Sequence, residues 1–159
     1  MILNRLPGVL LAALLAVAAP LASAQGEILL TVTESSGKSV DFDLATLEAM
    51  GGTTLDTHTS WTDGLQRFTG VRADELLEPF IRHGATVRAV ALNGYEATMS
   101  LELLLDYPAI IAYKRNGQYM AIRDKGPLWM IFPLDEFPEL KGLESDQRMV
   151  WQLRHLVVE

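Results

Sequence analysis

A chain of 159 residues with 13 basic and 20 acidic side chains carries a net charge of −7, and it contains no cysteine. That length supplies one domain with a core large enough to need no staples. The acidic balance argues against nucleic acid and anionic lipid as partners, and the missing thiol excludes cysteine nucleophiles, thiolate metal ligands and redox pairs.

The first segment reads as an export signal. Arg5 precedes the apolar run Val9 to Ala19, Pro20 breaks it, and Ala22-Ser23-Ala24 supplies a small-x-small site. This is the charged, apolar, small-residue order of a cleavable signal peptide. The apolar run is short of the ~20 residues that a spanning helix needs. Residues 1–24 are therefore expected to be removed, leaving 25–159 as a single periplasmic domain with no stable membrane insertion. Arg5 is the only charge lost, which takes the balance to −8. With no disulfide available, packing alone must hold the domain.

The remaining chain alternates strand and helix signals. Residues 27–33 and 39–43 predict an opening hairpin, and Asp43 predicts the cap of a short helix over 44–50. Thr53 to Trp61 predicts a strand with one solvated face, and Asp63-Gly64 a turn before residues 66–70. Leu76, Leu77, Phe80 and Ile81 share one face of a helix predicted over 73–83, with Pro79 expected to kink or divide it. Asn93-Gly94 predicts a hairpin between 86–92 and 95–99, and Asn116-Gly117 another between 110–114 and 118–122. Ser100 predicts the cap of a helix over 101–105. Leu128 to Phe132 predicts a central strand, 134–148 an acidic irregular stretch with helical pieces, and 151–158 a closing strand. The pattern is that of a mainly β, α+β domain.

Residues able to do chemistry are sparse. His58, His83 and His155 are too far apart to make an HxH or HxxxH metal pair. His83 is expected to close the main helix and His155 to sit on the solvated face of the last strand. The carboxylates scatter, and GxSxG, P-loop and GxGxxG patterns are absent, so no catalytic residue and no metal ligand is assigned. Arg123-Asp-Lys-Gly-Pro127 sets two cations and a glycine beside a buried strand. That composition suits a carboxylate or phosphate, and it equally suits the solvated exit of a hairpin. Trp61, Tyr95 and Trp129 are candidates to wall the same cavity.

From Phe68 onward the order of motifs is similar to that of the sulfite oxidase type of molybdopterin-binding domain. Phe68-Thr-Gly-Val71 with Glu75-Leu-Leu77 resembles its W-x-G-V-x-L-x-x-L-L segment. Asn93-Gly-Tyr95 with Met99-Ser-Leu101 resembles its D-G-Y…I-x-L strand and turn. Ile111 to Gly117 resembles its L-A-x-x-x-N-G hairpin, and Arg123 to Leu128 with Phe132-Pro133 its G-G-P-x-R-x-x-x-P strand. Val150-Trp-Gln-Leu153 with Leu156-Val-Val158 resembles its K-W-L…I-x-V ending. The resemblance implies a mainly β, α+β, sulfite-oxidase-like molybdopterin-binding domain fold with mixed sheets and short connecting helices. It is strongest with small stand-alone periplasmic proteins of the molybdopterin-dependent oxidoreductase type.

The departures from that pattern carry as much weight. The family's metal-binding cysteine falls near His58 in Thr57-His-Thr-Ser60, and neither imidazole nor hydroxyl replaces a soft thiolate. Its arginine falls on Trp129 and its lysine on Val150, removing basic groups that meet the pterin phosphate. Taken with these losses, the resemblance implies a non-catalytic binding, accessory or sensory module, with no cofactor and no metal. Its ligand-binding residues are expected to be His58, Ser60, Trp61, Tyr95, Arg123, Lys125 and Trp129. Its partners are expected to be a small anionic ligand and a periplasmic or membrane protein. Two alternatives stay open: a molybdopterin-dependent oxidoreductase with a non-cysteine metal ligand, and a structural interaction protein using its acidic face.

Overall fold

The computed structural model describes residues 26–159; the expected signal peptide lies outside them. β1 (Ile28–Glu34) pairs antiparallel with β2 (Ser39–Asp43), and the Asp43 carboxylate accepts from the Thr46 amide at 2.8 Å to start α1 (Leu44–Ala49). β3 (Thr53–Thr57) pairs with β4 (Gln66–Arg72), which runs into α2 (Ala73–Leu77). β5 (Thr86–Ala91) and β6 (Glu96–Ser100) form a hairpin, and the Ser100 hydroxyl accepts from the Leu103 amide at 3.2 Å to cap α3 (Leu101–Asp106). β7 (Ile110–Arg115), β8 (Gln118–Tyr119), β9 (Trp129–Ile131), α4 (Leu143–Arg148) and β10 (Leu153–Val158) follow.

The strands make two sheets over one hydrophobic core. The first has the order β2-β1-β10-β5-β6, with β1 and β10 parallel and the other pairs antiparallel. The second runs β3-β4-β7-β8, and β9 pairs with β7 beside β8. The protein is thus a mixed α+β fold, mostly sheet with a few short helices, as the sequence predicts.

Burial follows the period of each strand. β5 alternates, turning Val87, Ala89 and Ala91 inward and leaving its other face half exposed. β7 instead buries Ile110, Ile111, Ala112 and Tyr113 in succession, so both of its faces are covered. Its neighbour β4 comes unusually near at Gly70, beside a register shift. A Cβ there would lie 2.1 Å from the Ile111 carbonyl oxygen and 2.5 Å from the Ala112 Cα, so only glycine permits the approach.

Four predicted boundaries move, each for a physical reason. The strand expected to reach Trp61 stops at Thr57, where the His58 backbone turns to bond Asp135. The helix expected over 73–83 stops at Leu77 and continues only as a 3-10 turn, Glu78–Phe80, because Pro79 lacks the amide an α-helix would use there. His83 therefore closes no helix; it is fully exposed and 3.9 Å from Glu102. The strand expected over 118–122 is only Gln118–Tyr119, since Ile122–Asp124 tightens into a 3-10 turn. The last strand begins at Leu153 rather than Trp151, whose backbone bridges to Trp129 instead.

Candidate ligand-binding site

The first half of the loop between β3 and β4 is tied down at two points. At its start, Asp135 accepts from the His58 amide at 3.0 Å, and His58 Nδ1 lies 2.6 Å from the same carboxylate oxygen. The Asp135 amide donates in turn to the Thr57 hydroxyl at 3.3 Å, and Lys141 Nζ lies 3.1 Å from the other carboxylate oxygen. Two residues on, the Ser60 hydroxyl donates to Asp146 on α4 at 2.8 Å. Between these ties the Thr59 hydroxyl accepts from the Trp61 amide at 3.2 Å and meets the Thr62 hydroxyl at 2.8 Å. The resulting turn holds Trp61 against Trp151.

Hydrogen bonds from the His58 ring and amide, with help from Lys141, hold the Asp135 carboxyl down to about 2 from an ordinary 3.8. A carboxyl depressed by folding stabilises the native state above its unfolded pKa, and the gain is lost as pH falls towards the folded value. Asp135→Asn is therefore expected to be less stable than the wild type near neutral pH, with the difference closing between about pH 4 and pH 2. Urea denaturation across that range checks it; a difference that stays constant would contradict it.

Beside the loop lies a cavity of about 330 Å³ whose walls include Trp61, Tyr95, Met149 and Trp151. The Trp61 and Trp151 rings meet edge to face, with centroids 5.0 Å apart and planes at 73°. Tyr95, from the β5–β6 turn, completes the wall, and its hydroxyl donates to the Gln147 carbonyl at 2.9 Å. Asp146 and Met149 are three residues apart at the C-terminal half of α4, a spacing that puts both on one side. Asn93 and Gln147 add amide groups at the rim. Asp146 is the only lining side chain that is charged at neutral pH, and it also borders a second cavity of about 300 Å³ lined by His58, Ser60 and Lys141.

The structure thus gathers His58, Ser60, Trp61 and Tyr95 around α4, two on each side of Asp146. The other three expected residues lie elsewhere. Trp129 is completely buried behind the cavity, donating from Nε1 to the Met149 carbonyl at 3.0 Å and packing edge-on against Phe68 and Trp151. Its role is to back the wall. Arg123 is 88 % exposed and paired only with its neighbour Asp124 at 3.5 Å. Lys125 lays its ammonium over Trp151, 4.6 Å from the ring centroid, and does not line the cavity. The backbone amides expected to receive an anion there are already used, because those of Asp124 and Gly126 both donate to the Ala121 carbonyl at 2.8 Å.

Sequence reasoning missed Trp151, Asp146 and Met149. Trp151 and Met149 fall next to a strand whose start was placed too early, and Asp146 lies in an acidic stretch without a distinctive pattern. The i, i+3 spacing of Asp146 and Met149 was the one legible signal. Asp135 lies 77 residues from His58, and no local pattern joins them.

His58 and Ser60 each bond a different carboxylate and not each other, so the nucleophile-to-base contact of acyl-transfer enzymes is not made. Nor does the donor set fit molybdenum. At the position that the resemblance marks for a thiolate there is an imidazole engaged with Asp135, and the chain holds no sulfur donor of that kind. Among the described residues, no three His, Cys, Asp or Glu side chains are grouped to hold a metal ion. Comparison of the chain with protein-family models and with curated protein sequences finds no match.

Proposed function

We propose that this chain is an exported, non-catalytic binding or accessory module on a sulfite-oxidase-like scaffold, holding a small ligand between the 58–65 loop, the β5–β6 turn and α4. The cavity carries the reading. Two tryptophans, a tyrosine and a methionine surround a space of about 330 Å³ with only a few polar groups. Ligand sites have this composition and begin at about this size, roughly 300 Å³. Trp61 and Tyr95 remain 42 % and 46 % exposed, an expensive way to hold large aromatics unless something covers them. The mostly β architecture and the five motifs in order support the scaffold, and the signal-like first segment supports the periplasm. The expected anionic ligand drew its support from Arg123 and Lys125. Neither lines the cavity, so the ligand's chemistry is better read from the walls.

Native mass spectrometry with metal analysis, on protein purified from the cells that make it, tests this reading. The expected result is a small, metal-free molecule on the wild type. Its affinity should fall about tenfold or more in Trp61→Ala and in Tyr95→Ala, since aromatic anchors dominate such contacts. Stoichiometric molybdenum with pterin would overturn the reading in favour of the oxidoreductase.

A further inference from the structure

The walls of this cavity point to a particular charge. Trp61 and Trp151 meet edge to face at 73°, and Tyr95 lines the same space with its hydroxyl committed to the Gln147 carbonyl. Three aromatic rings thus line the space, and an aromatic face attracts a cation through the ring quadrupole. Met149 adds a polarizable thioether. Asp146 is the one charged lining group, and only its Oδ2 is engaged, by Ser60 at 2.8 Å. Its Oδ1 accepts no hydrogen bond among the described residues. Trp151 already attracts one ammonium, that of Lys125, 4.6 Å from its ring centroid. Because that like charge sits over Trp151, a second cation is driven towards Trp61, Tyr95 and Asp146.

From this arrangement we infer that the cavity takes a small free organic cation whose charged nitrogen carries methyl groups, of the quaternary ammonium class. Such a head group is weakly hydrated, so its transfer costs little, and it fits an aromatic enclosure in which Asp146 supplies the countercharge. A primary ammonium carries three N–H donors, more than the one free Asp146 carboxylate oxygen satisfies, and an anion would be repelled by Asp146. The inference rests on the binding-module reading and adds the ligand's charge and shape to it.

Choline and its neutral isostere 3,3-dimethyl-1-butanol separate the two levels. Both are titrated against the full exported chain, followed by tryptophan fluorescence and calorimetry. Choline is expected to bind saturably and about tenfold more tightly than the alcohol, the selectivity that a partly desolvated cation–π site provides. Asp146→Asn keeps the size of the side chain and an acceptor for Ser60. It should weaken choline about fivefold and leave the alcohol within about twofold. Trp61→Ala should lose choline while melting like the wild type. Equal binding of choline and the alcohol overturns the cation inference and leaves the binding module standing. Binding to phosphatidylcholine vesicles without saturable binding of free choline also overturns it. Failure of both compounds, with no small molecule on the native protein, overturns the inference and the module together.

Discussion

Replacing Trp129 by alanine is expected to cost about 3–5 kcal/mol of stability, a large share of the roughly 5–15 kcal/mol that a domain of this kind possesses. Trp129 is the largest fully buried side chain; it pairs with Ala112 of β7, and its backbone bridges to Trp151 of the ligand wall. Its ring packs edge-on against Phe68 at 5.5 Å and Trp151 at 6.3 Å. Truncation removes those contacts and leaves a void that β7 and β9, buried on both faces, are poorly placed to fill. It also frees the Met149 carbonyl, which loses the indole N–H at 3.0 Å. Trp129→Phe should keep most of the packing and lose chiefly that bond, a cost nearer 1 kcal/mol. Urea midpoints at unchanged m-value measure both. A Trp129→Ala midpoint close to wild type would mean that the ring is not the support described here.

Gly126→Ala is the second severe change. A Cβ at this position would lie 1.9 Å from the Met120 carbonyl oxygen and 2.4 Å from its carbon. Both are main-chain atoms, so no side-chain rotation relieves the clash. The segment that must give is fastened by bonds from the Asp124 and Gly126 amides to the Ala121 carbonyl and from the Gln152 amide to the Lys125 carbonyl. Opening it costs about 3 kcal/mol, the upper end of overpacking, and should lower the melting temperature by roughly 10 °C. The same movement shifts Lys125 off Trp151. Faster amide exchange at residues 124–126 should therefore accompany the loss, and a melting temperature within about 2 °C of wild type would contradict the account.

Trp129 and Gly126 show what was legible in the sequence and what was not. Elements set by local chemistry were readable: the Asp43 and Ser100 caps, the Asn93-Gly94 and Asn116-Gly117 turns, and the break at Pro79. What local chemistry does not determine stayed hidden. Gly126 beside two cations resembles an anion site on paper, yet its lack of a side chain is used to pass the Met120 carbonyl. Trp129 is indistinguishable by residue type from Trp61, and only the packing of β9 on β7 assigns one to the core and the other to the cavity mouth. His58 was singled out for where a family resemblance placed it. Its actual partner, Asp135, lies 77 residues away along the chain. The missing cysteine excludes a thiolate ligand on the sequence alone, and the structure adds that the imidazole at 58 is engaged with Asp135.

The three tryptophans give a direct measurement of the central claim, because each indole N–H reports one place. Trp61 and Trp151 line the cavity, whereas Trp129 lies behind it with its N–H committed to Met149. In ¹H–¹⁵N spectra, adding the small-molecule extract of the producing cells should move the Trp61 and Trp151 indole signals in a saturable way. The Trp129 signal should hold its position. Saturable shifts confined to other parts of the fold, or no shift at either cavity tryptophan, would contradict a binding module centred on this cavity.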